Sequence, residues 1–404
     1  MGGAGDRWSG CLLLPTKRTR LESSFERTVC LNTSVNKVQA CDSLFARAGH
    51  TEPRPWATSA AMQPSGALQY EGNNFDGAVL PGRPQRPTDL ASPEEMMRLA
   101  VSQPSEPATG TTRESCELVL LISSAAGYER RRKTVRATYL SLLREDSADS
   151  PLTLEQRKSI RYKFLLGAPK PDQVAALQAE QEEHGDLLQV AVPESYESLW
   201  PKLVACWRWA HATYDFRFWM HADDDSFLRP ELLLRYLSAP ETPQRGLYAG
   251  YIWDGSEGRR TKPLRDPSAK SFMPPEQWPH DFYPPFASGC GFIISHDLIA
   301  WLVSESADFT FFRVIDVPVG IYLAQLPERE ARLAIRHLET VRPYRPLPLF
   351  REDTMVQHYM QPEEFRQFFE SSYGGAAKSK EDAESDARIA QVYDLFVNAK
   401  VMRR

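Results

Sequence analysis

Asp223-Asp224-Asp225 sets three carboxylates side by side at the end of an aromatic, apolar run, Phe216-Arg217-Phe218-Trp219-Met220-His221-Ala222. Adjacent aspartates repel one another, so the cluster needs a counter-charge. A divalent cation supplies one, and hard oxygen ligands select magnesium or manganese. A cation held by few protein carboxylates keeps positions open for substrate phosphates. These residue types at this spacing point to a metal–diphosphate site. The same residues allow a plainer reading, in which Asp225 or Ser226 caps the helix that Pro230 opens and the other carboxylates are only solvated.

Further candidates are scattered along the chain. In Arg313-Val314-Ile315-Asp316-Val317-Pro318-Val319-Gly320 the only carboxylate is Asp316, two residues before a helix-initiating proline. Taken locally, N-capping is the stronger reading. His358 ends the short apolar run Met355-Val356-Gln357, and an isolated histidine is more often structural than a ligand. Ser288-Gly289-Cys290-Gly291 brings two glycines into a strand, which permits close backbone approach to a ligand or merely a tight turn. Trp253, Trp278, Tyr283 and Phe286 offer ring faces to a sugar, with ordinary core packing as the alternative.

The elements that must position these groups alternate between strands and helices. Glu117–Ser123 reads as a buried strand, followed by a basic helix from Tyr128 to Leu143 carrying Arg130, Arg131, Arg132, Lys133 and Arg136. A strand over Arg161–Gly167, a helix over Asp172–Glu183 and a strand over Leu187–Val190 come next. The helix after Pro193 carries the stripe Leu199, Leu203, Cys206, Trp207 and Ala210, with Lys202 off it. Behind the aspartates lie a helix over 230–237, a strand over Leu247–Ile252, a Pro- and Gly-rich stretch from Trp253 to Pro285, a strand over Ser288–Ser295 and a helix over His296–Val303. Alternation of this kind predicts an α/β fold with a largely parallel sheet covered on both faces. Open sheets of that type bind ligands at the carboxyl ends of their strands, where the aspartates stand.

The chain has 404 residues, 42% hydrophobic and 11% aromatic, with a net charge of −5. That balance gives no general pull toward nucleic acid or anionic membrane. Cys11, Cys30, Cys41, Cys116, Cys206 and Cys290 are too irregular for a disulfide framework or zinc site. Asn32-Thr33-Ser34 is a glycosylation sequon. No run of about 18 apolar residues is present, so no transmembrane helix is read. Residues 1–113 are rich in Pro, Gly, Ser and Arg and read as disordered, apart from one short capped helix over Ser92–Leu99. The catalytic domain is expected over 114–372, and a charged tail over 373–404, with a helix from Ala387 to Val397.

Taken in order, the motifs resemble glycosyltransferase family 31, the β-1,3-galactosyltransferase-like enzymes, over about residues 115–370. Arg131 with Arg136-Ala137-Thr138-Tyr139 is similar to the family's arginine pair and aromatic. Phe164-Leu165-Leu166-Gly167 is similar to its Phe-Leu-Leu-Gly strand, and Tyr196-Glu197-Ser198-Leu199-Trp200-Pro201-Lys202 to its tyrosine-to-lysine helix start. Asp223-Asp224-Asp225 matches its metal motif. Tyr283-Pro284-Pro285-Phe286-Ala287-Ser288-Gly289-Cys290-Gly291 resembles its aromatic–glycine stretch, and Ile315-Asp316-Val317-Pro318-Val319-Gly320 its acid-pair motif. Two positions depart. Ile315 replaces the first acid of the pair, and Tyr139 stands where tryptophan is usual.

The resemblance implies a GT-A fold and an inverting, metal-dependent transfer of galactose from UDP-galactose to a glycan hydroxyl in β-1,3 linkage. It implies manganese or another divalent cation on Asp225, Asp223 and His358. Ser123, Arg131, Arg136, Lys202, Asp223 and Asp224 are the expected donor contacts, and Asp316 is the expected base. Trp253, Trp278, Tyr283, Gly289 and Gly291 are expected to face acceptor or sugar. Alternatives are transfer of N-acetylglucosamine from UDP-GlcNAc, or a non-catalytic relative that keeps the fold. A phosphohydrolase would also use an aspartate cluster, but no Gly-rich phosphate loop accompanies it here. The implied partners are a UDP-sugar and a glycan or glycoprotein acceptor, not nucleic acid. The implied setting is the Golgi, although the membrane anchor usual in the family is not readable in this sequence.

Overall fold

The computed structural model describes residues 91–374 apart from 149, 257–260, 328–331 and 345–350. Cys11, Cys30, Cys41, the Asn32 sequon and the helix expected at Ala387–Val397 lie outside the described residues. Strands β1 (Glu114–Ser123), β2 (Ile160–Ala168), β3 (Leu187–Pro193) and β4 (Tyr214–Asp223) pair in parallel, in the order β3-β2-β1-β4. Along β1 the side chains alternate between two cores. Leu118, Leu120 and Ile122 enter one, and Val119 and Leu121 the other. Burial on both faces is why this strand reads as an unbroken apolar run.

The sheet continues through β7 (Phe286–Ser295), β6 (Leu247–Trp253) and β8 (Ala334–His337). β7 runs antiparallel to β4, with Gly291 opposite Ala222. Antiparallel pairing brings the start of β7 to the edge where β4 delivers its aspartates. A second, small sheet then sets the late histidine. β5 (Phe227–Leu228), directly after the aspartates, pairs antiparallel with β10 (Val356–Gln357), which also pairs with β9 (Val341–Arg342). Phe227 faces Gln357, so His358 is returned to the aspartate loop.

One core lies under α1 (Pro93–Val101), α5 (Leu199–Thr213), α7 (His296–Glu305) and α8 (Val317–Leu323). The other lies under α2 (Glu129–Ala137), α4 (Val174–His184), α6 (Pro230–Ser238) and α9 (Pro362–Tyr373). Between α2 and α4, α3 (Leu154–Lys158) begins with a capping box from Thr153 to Gln156. The α/β expectation is met, with three differences. The basic helix stops at Ala137, because Thr138 adopts φ −113°, ψ −115°, and a 3-10 turn carries Tyr139–Leu143. The domain begins before residue 114. Ser92 Oγ caps α1, and Met96, Met97 and Ala100 bury its inner face in the first core. Finally, the 253–285 stretch has little regular structure but is tied together by Arg265, whose guanidinium donates to the carbonyls of Met273 (2.7 Å), Trp278 (2.7 Å) and His280 (2.9 Å).

Candidate active site

Asp223, Asp225 and His358 converge so that one ligand atom from each lies within 4.8 Å of the others. His358 Nε2 is 3.2 Å from Asp225 Oδ1 and 3.5 Å from Asp223 Oδ2. Its Nδ1 lies 3.3 Å from the Pro343 carbonyl. A proton held on Nδ1 by that carbonyl leaves the Nε2 lone pair facing the carboxylates, the arrangement a metal-binding imidazole needs. Burial opposes charge on His358, but the hydrogen bond to Asp225 and the charges of Asp223 and Asp225 outweigh it and raise the imidazole pKa. For Asp225, burial works upward, but His358 and Arg131 prevail and hold the carboxyl below its ordinary value. Two carboxylates and one imidazole around a part-exposed gap fit a divalent ion. Among the described residues no other such group occurs.

The middle aspartate turns away. Asp224 is 4% exposed and accepts hydrogen bonds from Ser124 Oγ (2.7 Å) and Arg131 Nη1 (2.8 Å). Burial pushes its carboxyl up to about 6, with Arg131 and Ser124 pulling the other way. Asp224 therefore positions Arg131. Arg131 also lies 3.4 Å from Asp225, beside the metal candidates. Ser123 ends β1 opposite Asp223, and its buried Oγ has no hydrogen-bond partner among the described residues.

Two expected donor contacts are committed elsewhere. Five residues past Arg131, Arg136 points to another side of α2, since each residue turns the helix by about 100°. It donates to Asp186 (both contacts 2.8 Å) and Glu180 (2.7 Å), next to the buried Arg132–Glu180 pair. Lys202 is 1% exposed and bonds Glu194 Oε1 (2.7 Å) and the Ser124 carbonyl (3.3 Å). It fixes the turn that presents Ser124 to Asp224.

Asp316 caps α8, its Oδ1 accepting from the Val317 N–H at 2.9 Å. The capping role and the half-buried carboxyl coexist. Burial raises its pKa, the N–H groups of Val317, Asp316 and Gly289 lower it, and the charge of Asp223 raises it again. Gly289 has a structural reason to lack a side chain: a Cβ there would stand 3.2 Å from Ile315 Cγ2 and 3.8 Å from Asp316 Cβ. At Gly291 a Cβ would meet Val356 at 3.1 Å, so this glycine serves packing between the sheets rather than a ligand. Tyr196 feels burial first, then the charges of Asp316 and Asp223, all of which raise its pKa. Asp316 thus lies within electrostatic reach of Asp223.

The aromatic expectations divide. Trp278 is buried in the first core, its Nε1–H bonded to the Phe282 carbonyl, and does not face a sugar. Phe286 is buried as well. Half-buried Tyr283 packs between Trp278 and Phe286. Trp253 is half-buried against Tyr251 and Tyr344. It keeps a face toward solvent.

Sequence reading passed over His221. Residues two apart on a strand share a face, so Trp219, His221 and Asp223 form one stripe. His221 is fully buried, stacked on Phe292 at 5.1 Å, with Nε2 3.3 Å from Asp223 Oδ1. Its Nδ1 has no partner among the described residues, which assigns the proton to Nε2 as a donor to Asp223. The signal was its position two residues before the first aspartate, obscured by the aromatic run.

The family model described as Galactosyltransferase matches residues 130–329. The chain belongs to the galactosyltransferase family. That makes it a glycosyltransferase, as the motifs implied. It is 28% identical over 249 residues to "Beta-1,3-galactosyltransferase brn" of Drosophila melanogaster, covering 60% of this chain and 69% of that one. It is 30% identical over 235 residues to the human "Acetylgalactosaminyl-O-glycosyl-glycoprotein beta-1,3-N-acetylglucosaminyltransferase", covering 56% of each. The chain thus spans about half to two-thirds of these relatives. Among solved structures, galactosyltransferase LgtC with donor and acceptor sugar analogs is similar at 12% identity and a TM-score of 0.31, over 64% of this chain and 98% of that one. A score so low adds nothing to what the topology shows. The mostly parallel sheet, with helices on both faces and Asp223–Asp225 at the end of its central strand, is the GT-A architecture the motifs implied. No described helix is long and apolar enough to cross a membrane.

Proposed function

We propose that the protein is an inverting, metal-dependent hexosyltransferase that moves galactose from UDP-galactose to a hydroxyl of a glycan acceptor, forming a β-1,3 linkage on glycoproteins. The observation that carries this is the convergence of Asp223, Asp225 and His358 on one gap, with Asp316 near enough for the charge of Asp223 to raise its pKa. Carboxylates alone suit magnesium or manganese, and an added imidazole favours manganese. A bound ion there would neutralise the charge developing on the departing diphosphate. Arg131, held by Asp224, adds a fixed positive charge on that side.

The acceptor hydroxyl oxygen forms the new bond to the anomeric carbon while the bond to phosphate oxygen breaks. The bonding electrons leave with UDP, and the hydroxyl proton passes to Asp316. Attack opposite the leaving group inverts the anomeric centre, as in inverting glycoside hydrolysis. Ser123 Oγ, buried and unpartnered among the described residues, is a further donor contact in this reading. Trp253, half-buried beside Tyr251 and Tyr344, is an acceptor-facing ring in this reading.

The human relative named above supports a second donor, UDP-N-acetylglucosamine. Incubating the purified chain with manganese, a panel of UDP-sugars and glycan acceptors decides between them. Transfer of galactose supports the first reading, and transfer of N-acetylglucosamine the second. Binding of UDP with no transfer or donor hydrolysis would identify a non-catalytic relative. The Golgi setting belongs to the same proposal and is checked by imaging the tagged full chain.

A further inference from the structure

Tyr359 has φ +58°, the only non-glycine residue with a positive φ among the described residues. A bulky side chain in this left-handed region is strained, and such strain persists where surrounding contacts over-determine the backbone. Here they do. The His358 N–H donates to the Arg342 carbonyl at 3.1 Å, and the Met360 N–H to the Asp225 carbonyl at 3.0 Å. The chain is gripped on both sides of Tyr359.

The strained residue does not bury its ring. Tyr359 is 52% exposed, and its hydroxyl has no hydrogen-bond partner among the described residues. Its ring lies face-on to the His358 imidazole, centroids 3.8 Å apart and planes 20° apart. Core packing therefore does not explain a tyrosine here. The exposed ring thus stands against the imidazole, beside the gap that His358 shares with Asp223 and Asp225.

In the reaction proposed above, the hexose must lie next to that gap, since its anomeric carbon is bonded to the diphosphate that a bound ion there would hold. An aromatic face presents apolar surface to the C–H groups of a pyranose. We propose that Tyr359 is a positioning residue for the donor sugar, its ring covering His358 on one side and walling the transferred hexose on the other. The inference rests on the metal–nucleotide reading of the site.

Strain makes the test clean. Glycine and asparagine adopt the left-handed region at lower cost, so Tyr359→Asn and Tyr359→Gly should melt at or above the temperature of the wild type. Calorimetry of the full chain with manganese then compares UDP with UDP-galactose and UDP-N-acetylglucosamine. UDP should bind wild type and Tyr359→Asn equally. The better-bound UDP-sugar should lose affinity by about tenfold in Tyr359→Asn, the scale of one lost ring contact, and kcat for transfer should fall with it. Tyr359→Phe should retain both. Unchanged sugar affinity in a folded Tyr359→Asn would overturn the role of Tyr359 alone. A wild type that binds neither UDP nor either UDP-sugar would overturn the functional reading and this inference together. If asparagine and glycine both lower the melting temperature, the ring is structural and the inference falls.

Discussion

Arg131 Nη1 lies 2.8 Å from Asp224 Oδ1, inside the aspartate triplet. Arg136, on the same helix, is spent on Glu180 and Asp186. Substituting each should therefore give opposite phenotypes. Arg131→Ala should weaken UDP binding by at least about tenfold, the scale of one charge-assisted contact, with a modest change in melting. Arg136→Ala should leave UDP affinity near normal and cost about 3 kcal/mol, because it strands two acids in a mostly buried site. Titration calorimetry and denaturant melts on both variants check this, and similar UDP defects in the two would refute it.

The geometry of His358 and Asp225 predicts a metal response that needs no turnover to detect. A ligand at about a hundred times its dissociation constant stabilises a fold by about 2.7 kcal/mol. Manganese should raise the melting temperature of the wild type but not of Asp225→Asn or His358→Ala. His221→Phe keeps the aromatic stack and removes the hydrogen bond to Asp223, so it should weaken metal binding by about 10- to 100-fold. Excess chelator should abolish transfer. Full activity in chelator would exclude the metal site.

Much of the fold was legible because β1 and β4 are buried on both faces and so advertise themselves as apolar runs. The aspartate triplet was legible because three adjacent like charges are costly without a partner. Other features depend on tertiary pairing that local sequence does not carry. His358 reaches Asp225 only because β10 pairs with β5. Arg136 was misassigned because charge and spacing alone could not show that Glu180 and Asp186 await it. The inner face of α1 is short and preceded by low-complexity sequence, so the reading of disorder through residue 113 extended too far. Trp278 looked like a surface ring because its loop has no periodicity, yet Arg265 folds that loop onto the core.

That boundary is itself testable. A chain starting at Ala91 should melt like the full chain. Starting at Glu114 removes α1, exposes the surface that Met96 and Met97 cover, and deletes two further anchors. Those are the Arg208 bond to the Gln103 carbonyl (2.7 Å) and the His211 contact with the Ser105 carbonyl (2.9 Å). Two buried methionines alone represent about 3–5 kcal/mol, so a drop on the order of 10 °C in melting temperature is expected. Equal melting of the two truncations would return the boundary to residue 114.

Asp316 is both a helix cap and the proposed base, and one substitution separates the roles. Asparagine caps about as well as aspartate, so Asp316→Asn should preserve α8. It cannot accept the acceptor's proton, and loss of a general base typically costs about 10²–10⁴ in rate. UDP affinity should stay near normal, because Asp225, His358 and Arg131 are untouched. The raised pKa adds a second readout. A carboxyl whose folded-state pKa lies above its unfolded value favours the fold while protonated, and that contribution is lost as pH rises through the folded value. In metal-free buffer Asp316→Asn should therefore melt at or above the wild type at neutral pH, with the advantage shrinking as pH falls toward the ordinary aspartate range. The acid limb of wild-type kcat/KM should likewise lie above the ordinary aspartate pKa. Near-normal transfer by Asp316→Asn would leave this residue a cap, and lost UDP binding would move it to the donor side.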